Sequence, residues 1–388
     1  MRILFVTPWI PAPYRPRSLQ LLKLISRQHE VILVACAWSR KDRAQARELR
    51  DYCEVRLVDR SRLFGILRAL LAIPSRSRSL QQSFVGRGSF ARSVVSAIRQ
   101  LDPDIVYYNV IRSAQVIQNS KCGSILDMDD IRSDYYKQMA TYGDSPLWRG
   151  IARIEYPRMV GAEKMAASEV DAVLFSSPVD CDSKVASGKG FLVRSPHMVG
   201  VNSFPYQYDH PFPIVFVGRL SYRANVEAIE WFADNVVPEL GRYVPGAKLY
   251  VVGQSPSRRV RALEGPRVHV IGEVDSVSPY ILGARASIIP VTMATGVQMK
   301  LIESCALGVP VVATGTVAHQ AGVKNGREVL VADSVEEWVG ALQSLQTEPK
   351  LASRVASSGM DWAVTNYSDE SISRSIEELM VRVMERHR

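Results

Sequence analysis

Short continuous apolar runs alternate with helix-period segments along this chain of 388 residues, and the alternation runs through two successive rounds. In the first round the runs are Ile3–Val6, Val31–Cys36, Val55–Val58, Ile105–Tyr108, Ser124–Asp127 and Ala172–Ser176. Helical patterns such as Ser18–Arg27 and Phe90–Leu101 lie between them. A strand wetted on one side alternates apolar and polar residues, whereas an unbroken apolar run marks a strand covered on both faces, as in a parallel sheet. A stretch from Pro196 to Pro213, with Pro205 and Pro211 inside it, then breaks all periodicity and reads as a linker. The second round follows with Ile214–Val217, Lys248–Val252, Val268–Ile271, Ala286–Pro290, Val309–Ala313 and Val329–Ala332, separated by helical segments such as Asn225–Leu240 and Val335–Leu345. Strands joined through helices imply right-handed crossovers and doubly wound sheets. The sequence thus predicts an α/β protein of two domains, 1–199 and 200–366. Ligands are expected in a cleft between the carboxyl ends of their strands. A helical tail over 367–388 places Ile372, Ile376, Leu379 and Val383 on one face.

The most informative local stretch is Thr295-Gly-Val-Gln-Met-Lys300-Leu-Ile-Glu303, followed by Ala306-Leu-Gly308-Val-Pro310-Val-Val312. It reads as a Gly-led loop, a helix and a buried strand. Free amides at the positive end of a helix suit a phosphate, and Lys300 in the first turn reaches the same anion. Glu303 shares that helical face. An anion site followed by one carboxylate suits a nucleoside diphosphate, with the carboxylate taking ribose hydroxyls. In the same half, Arg219 follows Gly218 at a strand end, where a guanidinium forks onto phosphate.

The stretch resembles the donor-site motif of family 4 retaining glycosyltransferases, which have the GT-B fold of two Rossmann-like domains. In that family two glutamates stand eight positions apart before Ala-x-Gly-x-Pro-Val-Val. The second is Glu303 here, and the first falls on Thr295, so half of the signature is missing and the sugar is left open. Gly296-Val-Gln-Met-Lys300-Leu-Ile-Glu303 fits better a branch found in bacterial exopolysaccharide clusters. Phe216-Val-Gly-Arg-Leu-Ser-Tyr-Arg-Ala-Asn-Val226, Leu249-Tyr-Val-Val-Gly253 and Val268-His-Val-Ile-Gly272 also match the family's donor half. The resemblance implies a terminal helix that crosses back to the first domain. It implies a nucleotide-sugar donor held by Gly218, Asn225, Gly253, Thr295, Gly296, Val297, Gln298 and Glu303, with Arg219 and Lys300 on the diphosphate. Where the family pairs its arginine with a lysine, this chain has Asn225, so Lys300, or else Arg223, is expected to supply the second charge. The family's histidine near the reacting sugar aligns with Asp129. The family loop after the first strand, here Thr7-Pro-Trp9-Ile-Pro-Ala-Pro-Tyr14-Arg15-Pro-Arg17, implies acceptor-side roles for Trp9, Arg15 and Arg17. The implied reaction is a metal-independent, retaining transfer to a hydroxyl of a glycan or lipid-linked acceptor, with the leaving phosphate taking the acceptor's proton.

Other readings of the same residues stay open. Asp127-x-Asp129 has the form of a metal-binding pair, but the six histidines and five cysteines form no cluster, and no metal is expected. Asp129 or Asp130 would equally serve as an N-cap for a helix beginning near Ile131. A nucleotide-sugar epimerase or hydrolase would use the same fold. A non-catalytic polyanion-binding protein is the other rival, although no nucleic-acid module is recognisable.

Charge is uneven. Residues up to 199 hold 30 Lys and Arg against 19 Asp and Glu, an excess of +11 within the chain's net +9. No acid lies between Asp59 and Asp102, where Arg60, Arg62, Arg68, Arg76, Arg78, Arg87, Arg92 and Arg99 fall. Leu63, Phe64, Ile66, Leu67, Leu70, Leu71 and Ile73 sit among the first of them. That composition suits a helix lying on an anionic membrane, or one whose apolar face packs on its own domain. Scattered, odd-numbered cysteines and the lack of a membrane-length apolar run lead to the expectation of a cytoplasmic protein with reduced thiols, peripheral at most on the inner membrane face.

Overall fold

The computed structural model describes residues 1–75, 78–118, 121–142, 146–186, 188–195, 205–293 and 296–387, without the side chain at 142. The chain forms two compact units. One is Met1–Pro196 together with Asp369–Arg388, and the other is His197–Ser368.

The first unit holds a seven-stranded sheet in the order β3-β2-β1-β4-β5-β6-β7. The strands are β1 (Arg2–Thr7), β2 (Glu30–Ala37), β3 (Glu54–Asp59), β4 (Ile105–Asn109), β5 (Gly123–Asp129), β6 (Ala172–Phe175) and β7 (Gly190–Leu192). All pair in parallel. The apolar runs of β1, β2, β4 and β6 are buried as they imply, whereas in β3, at the edge of the sheet, only Val58 is buried and Leu57 is exposed. In β1, Leu4 and Val6 enter one core while Ile3 and Phe5 enter the core on the opposite face. The short, half-buried β7 is the one strand of this sheet that the apolar pattern does not announce.

The terminal helix Asp369–Glu385 belongs to this unit. Ile372, Ile376, Leu379, Met380 and Val383 are buried against Ile3, Phe5 and Leu21. Its surface is tied by Arg27–Asp369 at 3.0 Å and His29–Glu377 at 2.6 Å. A Cβ at Gly123 in β5 would meet Val383 Cγ1 at 2.5 Å, so glycine there lets the helix lie on the sheet.

The second unit holds a six-stranded parallel sheet in the order β10-β9-β8-β11-β12-β13. Its strands are β8 (Phe212–Val217), β9 (Ala247–Val252), β10 (Val268–Gly272), β11 (Ala286–Ile289), β12 (Val311–Ala313) and β13 (Leu330–Val331). In β8, Ile214 and Phe216 face one core, Val215 and Val217 the other. The helix expected over Asn225–Leu240 is interrupted: α-helix Arg223–Trp231 passes through a π-helical turn, Phe232–Val236, into Val237–Tyr243. Part of the expected linker is already structured in this unit. Phe212 and Pro213 open β8, Tyr206 N–H donates to Pro279 O at 2.8 Å, and the Tyr206 ring stacks on Tyr280.

Candidate active site

In the second unit the side chains of Asn225 and Lys300 converge at the carboxyl end of β8. Gly218 follows the strand, and its N–H donates to Val252 O at 3.1 Å. Gly253, with φ of +145°, lies against it so tightly that a Cβ there would fall 1.8 Å from Gly218 O. A Cβ on Gly218 would in turn meet Asn225 Nδ2 at 2.9 Å and Lys300 Nζ at 3.2 Å. The two glycines therefore let the strand ends close up and leave room for Asn225 and Lys300. Asn225 Nδ2 donates to Arg219 O at 2.9 Å, and its Oδ1 accepts from Lys300 Nζ at 2.6 Å. Asn225 thus supplies no charge; it aims the lysine that does.

Lys300 lies in the first turn of the helix Met299–Ala306 and is buried, 9% exposed. Its ammonium sits 4.4 Å from the Phe216 ring centroid and has no carboxylate partner among the described residues. Desolvation pulls its pKa down to about 7. A neutral amide and one ring do not offset the loss of water, so the charge here is incomplete without an anion. Arg219 is exposed, and its Nε reaches Ser221 Oγ at 3.3 Å; among the described residues it forms no ion pair. Arg223, the other candidate for a second charge, is engaged with Glu227 at 2.7 Å.

The loop before the helix behaves as its glycine requires. Gly296 has φ of +67°, in the left-handed region. Val297 packs into the adjacent apolar cluster. Gln298 is the N-cap residue, and among the described residues no side chain caps this helix; Leu301 N–H turns back to Gln298 O at 2.9 Å, and the amides of Met299 and Lys300 are the ones left to a ligand. Glu303, half-buried, has no side-chain partner among the described residues, and desolvation raises its pKa. Thr295 lies outside the described residues.

The first unit holds a second collection of polar groups at the carboxyl ends of its strands. Arg17, expected on the acceptor side, is instead drawn inside the protein. Its Nη2 donates to Asp127 Oδ1 at 2.8 Å, its Nε to both Asp127 oxygens at 3.1 Å and its Nη1 to Val193 O at 2.8 Å. Burial works against this charge, but Asp127, then Asp129, outweigh it and hold the guanidinium more firmly protonated. Asp127 is fully buried and also accepts from Tyr107 Oη at 2.8 Å and Asn109 Nδ2 at 3.3 Å. Its oxygens serve this network, so Asp127 and Asp129 do not act as a free pair of ligands. No group of three His, Cys, Asp or Glu among the described residues is placed to hold a metal.

Asp129 sits at a register shift between β5 and β6 with φ of +68°, and Ser176 donates to its carbonyl. Its carboxylate lies 3.4 Å from Arg17 Nε, yet 39% of the side chain remains open. Desolvation lifts its pKa to about 6; Arg17 opposes the rise while Asp130 and Asp127 add to it. The first turn of the helix Arg132–Tyr142 is capped from elsewhere, by Glu163 Oε1 accepting Ser133 N–H at 2.9 Å. Glu163 and Asp180, both lifted by desolvation to about 7, complete a carboxylate-rich edge that reading the sequence missed. Asp180 follows Pro178 directly after β6, and its place at a strand's carboxyl end was the available signal.

Trp9 does not offer a bare face. Arg15 lies 5.1 Å and Arg112 5.0 Å from its ring centroid, and Arg15 also bonds Ile10 O at 3.0 Å. Burial, then Arg132, lowers the Arg112 pKa to about 10. Arg132 pairs with Asp130 at 3.1 Å, and Arg112 lies near Arg132, Asp130 and Arg15.

The family profile that matches this chain falls on the unit that carries Lys300. Residues 211–348 match the family profile described as Glycosyl transferases group 1. An uncharacterized 44.6 kDa protein in the cps region of Klebsiella pneumoniae is 21% identical over 220 residues, which are 54% of this chain and 56% of that protein. The chain therefore spans about half the length of the curated relative it matches. Among solved structures, Anabaena HepE in complex with UDP aligns over 98% of this chain and 100% of its own at TM-score 0.66 and 14% identity. Sucrose-phosphate synthase from Thermosynechococcus elongatus aligns over 99% of both chains at TM-score 0.68 and 15% identity. The fold is GT-B, with two Rossmann-like units, and the match to the glycosyl transferases group 1 profile lies within the second of them.

Proposed function

We propose that this protein is a retaining, metal-independent glycosyltransferase that moves a sugar from a nucleoside diphosphate to a hydroxyl of a glycan or lipid-linked acceptor. The observation that carries the reading is the buried ammonium of Lys300, aimed by Asn225 beside Gly218 and without a counter-ion among the described residues. A diphosphate supplies that counter-ion. Arg219 and the first-turn amides of the Met299–Ala306 helix take its remaining oxygens. As the bond from the anomeric carbon to the phosphate oxygen breaks, negative charge grows on the phosphate, and fixed cations stabilise that growth. The acceptor oxygen forms the new bond on the same face, and its proton passes to the leaving phosphate. A match to a protein in a cps region supports a place in polysaccharide assembly.

Glu303 is assigned to the ribose hydroxyls. Hydrogen bonds to a charged group contribute about 1.5–3 kcal/mol, so Glu303→Ala should weaken UDP binding by roughly 10- to 100-fold in calorimetric titration. Unchanged affinity for UDP, GDP and ADP alike would remove this role.

Asp129 is assigned to the acceptor hydroxyl in its ionised form. With its pKa near 6, the transfer rate should fall as pH drops through that value. Asp129→Asn should slow transfer and abolish that acid limb of the pH–rate profile; a limb that persists unaltered in the variant belongs to another group. Consumption of donor in the absence of any acceptor would favour the epimerase or hydrolase alternative over transfer.

A further inference from the structure

The helix Arg62–Leu71 in the first unit is turned inside out. Its buried position is Gly65, where an added Cβ would meet the Phe84 ring at 2.9 Å. Arg68 points inward: Nη2 donates to Phe84 O at 2.9 Å, and Nε to Ser83 O at 3.3 Å. Arg60, just before the helix, sends Nη2 to Gly86 O at 2.9 Å. These guanidiniums satisfy carbonyls at the carboxyl end of the neighbouring helix Leu80–Val85. The apolar side chains take the outside instead. Leu63, Phe64, Ile66, Leu67, Leu70 and Leu71 are each 50–79% exposed. Isolated exposed leucines are ordinary, but this many on one ten-residue helix mark a surface built to be covered.

The surrounding charge says what covers it. No acid falls between Asp59 and Asp102, and Arg62, Arg78, Arg87, Arg92 and Arg99 are exposed. Leu71 also borders a hollow of about 760 Å³ lined by Arg68, Arg78, Arg87, Met165 and Glu169 among others. Leucines and a phenylalanine beside a basic, partly apolar hollow match a bilayer in which acyl chains meet the helix and phosphates meet the arginines. A second copy of this chain would set the same acid-free segment against itself, with like charges opposed.

We propose that the Arg62–Leu71 helix docks this protein on an anionic lipid surface, with headgroup phosphates received by Arg78 and Arg87 at the hollow. The surface belongs to the first unit and Lys300 to the second, and its test uses no nucleotide or sugar, so it stands or falls separately from glycosyl transfer. The full chain is floated with phosphatidylcholine vesicles, with and without phosphatidylglycerol. It should float with the anionic vesicles only, and less as salt rises. Leu67→Glu together with Leu70→Glu should abolish flotation. Arg78→Ala and Arg87→Ala should each weaken it about fivefold. Circular dichroism and the melting temperature of these surface variants should match those of the parent. Equal flotation on neutral vesicles, or none on anionic ones, would overturn the proposal. So would a concentration-dependent dimer that the Leu67→Glu, Leu70→Glu variant abolishes, because the face would then belong to a second copy.

Discussion

Lys300→Met should slow sugar transfer by about 10²–10³-fold, the range seen when one donor to a developing oxyanion is removed. It should also make the unliganded protein more stable at neutral pH. Both effects follow from one burial. In the unfolded chain the Lys300 ammonium keeps its proton up to the ordinary pKa of 10.5; in the folded protein it lets go near 7. Between those values the unfolded state binds more protons, so stability rises with pH across that window, and the burial penalty is full below about 7. Methionine has a similar length and no charge to desolvate, so the variant should melt higher than the parent, most clearly at or below that pH. A site held in an unfavourable state for its ligand is the usual trade of stability for activity. A variant that melts no higher, or that transfers sugar at the parental rate, would show that the ammonium is neither penalised nor used.

Arg17→Leu should destabilise the first unit by about 3–5 kcal/mol, as expected when one partner of a buried pair is removed and the other charge is stranded. Asp127 would be left fully buried, with Tyr107 and Asn109 as its remaining donors. Arg17→Leu combined with Asp127→Leu should recover part of the loss, because paired charges replaced by apolar groups are often neutral overall. It should not recover all of it, since the Tyr107 hydroxyl then loses its acceptor. Urea midpoints of the three proteins measure this. UDP affinity of the single variant, measured where it is folded, should equal that of the parent. A normal midpoint together with impaired acceptor use would return Arg17 to the ligand-facing role its loop suggested.

What was legible in the chain follows from what each feature depends on. Strands with unbroken apolar runs, such as Ile3–Val6 and Ile214–Val217, could be placed because burial on both faces leaves a local imprint. So could the stripe Ile372, Ile376, Leu379 and Val383, which is buried as its spacing implies. β7 could not: three half-buried residues beginning with glycine carry no periodicity. In the second unit, the strand-end place of Gly218 and Arg219 and the helical place of Lys300 and Glu303 were readable from types and spacing, while their roles belong to the proposal. The use of Asn225 as the partner of Lys300 was not, because it depends on a 75-residue separation closed by the backbone. Arg17 and Asp127, 110 positions apart, illustrate the same limit. The arginines of the apolar helix were counted correctly, but Arg68 points inward, which composition alone does not reveal.

The central claim is that a nucleoside diphosphate completes the charge of Lys300. Calorimetric titration of UDP near pH 8, repeated in buffers of different ionisation enthalpy, counts the protons taken up on binding. At that pH the free lysine is largely neutral and must protonate to hold the anion, so roughly one proton should be absorbed per nucleotide. Affinity should fall as pH rises above about 7, and Lys300→Met should show neither effect. Tight UDP binding without proton uptake, with the same affinity in the methionine variant, would contradict the account.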